Sequence, residues 1–288
     1  MAAPTTYTTA DDLRYAAVIN EDVIRELRGA NVAAKLCLNK SLAGKPSKAM
    51  DFPMWPLMTC GSLTEGIDIG SDAISTTKAT VTAGEIGLMS TITDVLTLSD
   101  ILDGLDGYSG CLGRALGTKL DADICALFSG FDNLVGVSGS DFTEAQFLQA
   151  MGYLEVSNAP RPYVAVLHPQ QTQDFRAALS TTTGVIHSSN GVAAGTREIG
   201  GIDQNGWWGN LYQVDIFSTT NVPTANTAAD RSGGMFSRNY ALGLCPKYIS
   251  RTELERDASL RATEIVCTSF YGAAELSDTC GVEVCTDA

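Results

Sequence analysis

An α+β fold is what this sequence predicts, and three observations predict it. First, Ile101, Leu102, Leu105, Tyr108, Leu112, Leu116, Leu120, Ile124 and Leu127 recur at i+3 and i+4, the period of one buried helical face. They define a helix over residues 99–129, about 45 Å long at the α-helical rise. Second, residues 30–85 hold no helical period and are broken by Gly44, Pro46, Pro53 and Pro56. Such a stretch reads as a long two-stranded excursion, because proline is kept out of central strands. Third, the tract after Tyr248 is dense in charge, with Glu253, Glu255, Arg256, Asp257, Arg261 and Glu264. It predicts an antiparallel piece with one wet face, or a contact made through charge pairs.

Composition narrows the classes. The 288 residues are 44% hydrophobic and 18% charged, which fits a folded chain with one large core or two lobes. The formal net charge of −14 repels phosphate backbones and anionic lipid, so neither a nucleic-acid grip nor membrane docking is expected. No apolar run approaches the roughly 20 residues of a membrane span. Met1 to Asp12 has neither the basic nor the apolar region of a signal peptide, so cytoplasmic synthesis is expected. The 8 cysteines, Cys37, Cys60, Cys111, Cys125, Cys245, Cys267, Cys280 and Cys285, contain no CxxC pair. They read as reduced, mostly buried thiols, not as a metal site.

In chain order, residues 1–12 read as an extended arm. Leu13, Ala17, Ile19, Val23, Ile24 and Leu27 follow a helical period over 11–27, with Thr9 or Asp11 as cap. Val32, Ala34, Leu36 and Leu38 alternate as in a strand. Ile86 to Thr93 is a short strand, and Ser99 can cap the long helix. That helix carries Gly104, Gly107, Gly110, Gly113 and Gly117. The spacing reads either as a smooth ridge for close backbone packing or as a bendable first half. Thr143 with Gln146 has capping-box spacing, followed by the apolar face Phe147, Leu148, Met151 and Leu154. Tyr163–Leu167 is a strand, and Gln170–Leu179 a helix with Pro169 near its first turn. Residues 180–210 read as loop containing Trp207 and Trp208, core more than contact. Further strands are expected at Leu211–Phe217, within Met235–Cys245, in Thr263–Tyr271 and at Val282–Cys285.

Catalytic constellations are thin. GxSxG, HExxH and GxxxxGK[ST] are absent from the sequence. His168 falls at a strand-to-helix junction, which favours a structural role, and His187 falls in a polar loop. Asp121 and Asp123 point to different helix faces, so they are not an obvious metal pair. Asp100, Asp103 and Asp106 suit the helix dipole.

The co-linear set "LTEGIDI" (63–69), "TVTAGEIGLMSTITD" (80–94), "LGRALGTKLDADICALF" (112–128), "FTEAQFLQAMGYLEVSNAPRPYVAVLHPQQTQDF" (142–175) and "SRTELERDASLRATEIVCTSFYGAAELSDTCGVEV" near the C-terminus resembles the major capsid proteins of tailed phages with the Hong Kong 97 fold. The resemblance covers most of the chain. It implies an N-terminal arm (1–36), an extended loop or E-loop (37–85), a peripheral domain (86–140 and 247–288, with the spine helix at 99–129) and an axial domain (141–246). It further implies self-assembly into pentamers and hexamers of an icosahedral head around double-stranded DNA, without sequence-specific DNA contact and without a cofactor. Portal, scaffolding and decoration proteins are the implied partners, and the virion shell the implied location. An encapsulin-like cargo shell is the alternative on the same fold, and a small oligomeric α+β enzyme a third reading. Under the resemblance the E-loop lies across a neighbouring subunit, making Cys37, Lys45, Lys48, Trp55, Cys60, Glu253, Glu255, Arg256, Asp257 and Arg261 candidate contacts. A Lys–Asn isopeptide cross-link is not expected, since residues 247–288 contain no asparagine. Disulfides among Cys37, Cys60, Cys267, Cys280 and Cys285 are the expected covalent alternative.

Overall fold

The computed structural model describes residues 21–27, 31–55, 58, 60–66, 68, 71, 73–99, 105–181, 206–225 and 230–287. Three sheets organise these residues: one of six strands, one of four and one of two.

The six-stranded sheet has the order β5-β12-β9-β6-β8-β7. Its strands are β5 (Asn133–Val135), β6 (Tyr163–Leu167), β7 (Trp207–Leu211), β8 (Val214–Ser218), β9 (Asp230–Ser237) and β12 (Gly281–Asp287). Strand β6 is buried along its whole length because both faces are covered, the usual state of a central strand with parallel pairing. Tyr163, Ala165 and Leu167 face a cluster built with α4 (Glu144–Val156) and α5 (Pro169–Thr181). Val164 and Val166 face the other way, toward Phe128 and Phe236. The Thr143–Gln146 capping box forms as the spacing predicts. Phe142, Phe147 and Trp208 surround Phe175, with ring centroids 5.2, 5.2 and 6.1 Å from its own.

Here the sequence reading needs correction. Residues 207–210 were expected as loop and Leu211–Phe217 as one strand, yet Trp207–Leu211 form β7 and Val214–Ser218 form β8, with Trp208 only 2% exposed. The β7–β8 hairpin closes on Tyr212 and Gln213, whose φ values are 52° and 65°. Two positive φ values are the type I′ geometry, usually announced by Asn or Gly; this turn carries neither, so nothing local advertised it. Residues 282–285 were expected with the charged hairpin. Instead β12 pairs with β9 and β5, because Val282 and Val284 complete the cluster under α4.

The four-stranded sheet has the order β1-β10-β11-β4. Its strands are β1 (Leu38–Asn39), β4 (Gly84–Thr93), β10 (Leu242–Asp257) and β11 (Ala262–Glu275). The β10–β11 hairpin is the charged tract. It turns where Asp257 Oδ1 accepts from the Ser259 and Leu260 N–H groups at 2.8 and 3.2 Å, an Asx-type turn. Leu254 and Ile265 face inward, beside Ile92, toward the helices.

The helix expected over 99–129 is described from Leu105 onward, residues 100–104 lying outside the described residues. Before them, Asp94–Ser99 form helix α2. Thr93 Oγ1 accepts the Leu96 N–H at its start. Helix α3 spans Leu105–Cys125 and tightens into a 3-10 turn over Ala126–Gly130. Residues 21–27 form the described part of the N-terminal helix, α1; its expected caps Thr9 and Asp11 lie outside the described residues, as do His187, Asp100 and Asp103. Val23 and Leu27 bury against Leu112 and Leu116 of α3. The alternating segment 32–38 is not a strand: Ala33–Lys35 is a 3-10 turn, and only Leu38–Asn39 pairs, in parallel with β10. Side-chain capping from α3 diverts its N–H groups from any ladder.

The third sheet is a ribbon of β2 (Ala49–Met54) and β3 (Thr77–Thr82), antiparallel, with Met54 opposite Thr77 at its far end. Pro53 is tolerated because a two-stranded ribbon consists only of edges.

Candidate functional site

The ribbon is rooted in the subunit and reaches beyond it. Leu42, Phe52, Val81 and Ala83 pack with Cys245 and Leu276 at its base. Lys40 Nζ lies 4.5 Å from the Phe52 ring centre, a cation–π contact. Asp51 accepts from Lys78 Nζ at 2.7 Å and Thr80 Oγ1 at 2.6 Å. The Lys78 hydrogen bond, and then that of Thr80, hold the Asp51 carboxyl below the usual carboxylate range. Past the base the character reverses. Trp55 is 72% exposed, Leu63 71% and Ile74 56%. Among the described residues, nothing covers these apolar side chains on so thin an element. Lys45 and Lys48 are exposed beside the ribbon base.

The outer face of the hairpin holds the second group of candidates. Arg251 pairs with Glu253. Glu255 stands directly opposite Glu264 across the β10–β11 register, a like-charge cross-strand pair that is unfavourable within a sheet. Arg256 is spent inside the subunit: its guanidinium holds both Asp94 carboxylate oxygens at 2.6 Å, and this hydrogen bonding lowers the Asp94 pKa. Asp257 caps its own turn, and the Arg261 carbonyl accepts the Asp94 N–H at 2.9 Å. Glu253 and Glu255 therefore remain the outward acids of that set, while Arg256 and Asp257 are bound up in closing the sheet end.

Sequence reasoning weighed Asp121 only as a metal ligand beside Asp123 and missed its structural role. Asp121 is fully buried and accepts four hydrogen bonds: from the N–H groups of Val32 and Ala33, from Thr219 Oγ1 and from Asn221 Nδ2, at 2.7 to 3.1 Å. One carboxylate thus ties the entry to β1, the spine helix and the loop after β8. An acid on the buried side of an amphipathic helix, one residue after Leu120, was the available signal. Asp123 is distinct: it takes Lys119 at 2.6 Å and the Tyr271 hydroxyl at 2.7 Å. Burial first, and then this hydrogen bond, drive the Tyr271 phenol far above its ordinary range.

At Gly113 the glycine ridge of α3 is a packing surface. A Cβ on Gly113 would stand 2.5 Å from the Val23 carbonyl oxygen of α1, so the two backbones touch there. His168 is structural as expected: Nδ1 accepts the Gln170 N–H, while Gln171 accepts the His168 N–H and donates to Arg231 O, Val284 O and Thr286 Oγ1. Burial, and then Arg231, lower the imidazole pKa.

Cys37, Cys125, Cys245, Cys267 and Cys285 are buried, Cys280 is half-buried, and Cys60 and Cys111 are exposed. Burial pushes the Cys37 thiol up to about 12, with the Asp121 charge adding to it. Of the disulfide candidates, Cys37, Cys267 and Cys285 are buried, Cys280 is half-buried and Cys60 is exposed. In native protein a maleimide probe is expected to label Cys60 and Cys111 quickly and Cys280 slowly. The other five should react only in denaturant, because burial keeps the thiolate scarce. Peptide mapping of the labelled protein checks this. Among the described residues no group of His, Cys, Asp and Glu side chains has metal-holding geometry, and no helix is long and apolar enough to cross a membrane.

A long helix under a charged hairpin, a helix-flanked second sheet and a protruding ribbon are the architecture of the Hong Kong 97 capsid fold. The chain has that fold. It matches the capsid of the cyanophage P-SCSP1u with a TM-score of 0.65 at 15% identity, over 99% of this chain and 92% of that one. It matches the capsid of Ralstonia phage GP4 with a TM-score of 0.64 at 12% identity, over 89% and 88%. A virus-like particle from Pyrococcus furiosus matches with a TM-score of 0.62 at 9% identity, over 94% and 99%. No protein-family model matches the chain, and no curated protein matches it.

Proposed function

We propose that this chain is the major capsid protein of a tailed phage, a subunit that assembles into pentamers and hexamers around double-stranded DNA. The observation that carries the proposal is the ribbon, rooted by Phe52 and Val81 yet exposing Trp55, Leu63 and Ile74. A surface of this kind is stable in water when a neighbouring copy covers it. On this reading residues 1–36 are the N-terminal arm and 37–85 the E-loop. Residues 86–140 with 247–288 form the peripheral domain and residues 141–246 the axial domain; the pairing of β12 with β9 supports counting residues 281–287 with the axial sheet instead. Lys45 and Lys48 supply positive charge near the ribbon, and Glu253 with the Glu255–Glu264 pair supplies the complementary acid on a neighbour. Cys60 is the ribbon thiol available for an inter-subunit disulfide. Portal, scaffolding and decoration proteins would complete the particle, and the net charge of −14 keeps the lining from gripping packaged DNA.

The test is electron microscopy of the purified protein with a ribbon variant beside it. Met54 and Thr77 are register partners, so residues 55–76 can be replaced by an Asn-Gly turn without disturbing the base. The parent chain is expected to form closed shells or ring-shaped capsomers. The shortened chain is expected to keep its circular dichroism and melting transition but form no shells. Normal shells from the shortened chain would remove the ribbon from assembly.

The encapsulin-like alternative is kept because the Pyrococcus furiosus particle matches 94% of this chain and 99% of its own. Particles isolated from producing cells distinguish the two: nucleic-acid absorbance supports the phage reading, and a stoichiometric second protein inside supports the cargo shell.

A further inference from the structure

Beside the entry to β1, the helices stand off from the four-stranded sheet and leave an opening of about 360 Å³. Leu27 of α1, Ala34, Leu120 of α3, Leu244 and Pro246 of β10 and Tyr271 of β11 line it. Ile249, 43% exposed, stands at its rim. The rim is positive: Lys35 is exposed on it, and Arg238 Nη2 donates to the Lys35 carbonyl at 3.4 Å. Among the described residues, no Asp or Glu lines the opening, in a chain whose acids outnumber its lysines and arginines by 33 to 19. Asp123, behind Tyr271, is taken up by Lys119 and the Tyr271 hydroxyl.

The ribbon tip has the matching character. Residues 55–77 carry Glu65, Asp68 and Asp72 and neither lysine nor arginine. Trp55 is the largest exposed apolar side chain among the described residues. It stands three residues beyond Phe52, the buried root of the ribbon, and so roughly 10 Å further out along the strand. Being exposed, it does not fill the opening of its own subunit.

We infer that Trp55 of one copy enters this opening on a neighbouring copy, with the acids of the tip set against Lys35 and Arg238. The inference rests on the reading of the ribbon as an assembly element and adds where on the neighbour the ribbon lands. Tryptophan is the side chain most favoured as an interface anchor, seated in an apolar pocket ringed by polar groups. Opposite charge on tip and rim selects this opening over the acidic surface that dominates the rest of the subunit.

The experiment measures by light scattering the lowest concentration at which the full chain assembles. It compares the parent, Trp55→Ala, Ala34→Leu and the double variant. Trp55→Ala removes the occupant, and Ala34→Leu narrows the opening. Each single change is expected to raise the threshold about tenfold or more while leaving the melting temperature of the subunit unchanged. The double variant is expected to match the worse of the two, because one contact cannot be lost twice. If Ala34→Leu lowers the melting temperature, Ile249→Ala at the rim takes its place. Parent-like assembly by Trp55→Ala or by the opening variant, or losses that multiply in the double variant, would overturn the docking. The two readings fail separately. If the chain shortened at 55–76 forms no shells while the single variants assemble as the parent does, only the docking falls. If the shortened chain assembles normally, the ribbon reading falls with it.

Discussion

Asp121→Ala is expected to destabilise the subunit by about 3–5 kcal/mol, since each buried donor left without an acceptor costs ~1–3 kcal/mol. The Val32 and Ala33 N–H groups are held in place by the 3-10 turn they begin and cannot turn toward another acceptor. The Thr219 hydroxyl and Asn221 amide retain some freedom, which is why the expected loss is below the sum of four separate penalties. For a chain of this size the change is a melting-temperature drop of roughly 5–8 °C. Asp121→Asn keeps one oxygen for the backbone pair but turns an NH2 toward two donors, so it should recover only part of the loss. Urea titrations followed by circular dichroism measure both. A midpoint for Asp121→Ala within error of the parent would mean that solvent replaces the carboxylate, and that the joint is not buried in solution.

The same residue shows where the sequence was legible and where it was not. Periodicity identified α3 because Leu112, Leu116, Leu120 and Ile124 all bury on one face, and a helix of that kind is governed by local spacing. The capping box at Thr143 was equally local. The role of Asp121 depends on residues 88 to 100 positions away, and no window of sequence contains that distance. For the same reason Val32–Leu38 looked like a strand: its alternation is real, but Asp121 takes the N–H groups a strand would need. The Tyr212–Gln213 turn was hidden because tertiary packing of Trp208 enforces a backbone that glycine usually announces. The ribbon was readable as a two-stranded excursion from its prolines and turn residues. Its exposure was readable too, because a two-stranded arm cannot bury its faces within one subunit. Among the contact candidates, Arg256 and Asp257 looked like free surface charge, and only the fold reveals that Asp94 and the hairpin turn occupy them.

Gly113→Ala and Gly110→Ala should move stability in opposite directions, although both replace a helical glycine with the best helix former. Propensity alone favours each change by up to about 1 kcal/mol. At Gly110 the new Cβ would meet Glu26 Cγ at 3.8 Å, an ordinary contact, so the helix gain should survive and the subunit should be neutral to slightly more stable. At Gly113 the Cβ would meet Val23 O at 2.5 Å, Glu26 Cβ at 3.0 Å and Val23 Cα at 3.1 Å. Two of these atoms are backbone, so no rotamer change relieves the overlap, and α1 must move off α3. Lifting α1 uncovers Val23 and Leu27, which are 0% and 3% exposed, and burial of such side chains contributes ~1.5–3 kcal/mol each. The net effect expected for Gly113→Ala is a loss of about 2 kcal/mol or more once partial undocking of α1 is set against the helix gain. Limited proteolysis within residues 21–27 should become faster in Gly113→Ala and stay unchanged in Gly110→Ala. Equal stabilisation by both substitutions would show that the glycines serve bending of the spine and not the seating of α1, since a stiffer helix would then be the only consequence of the added methyl groups.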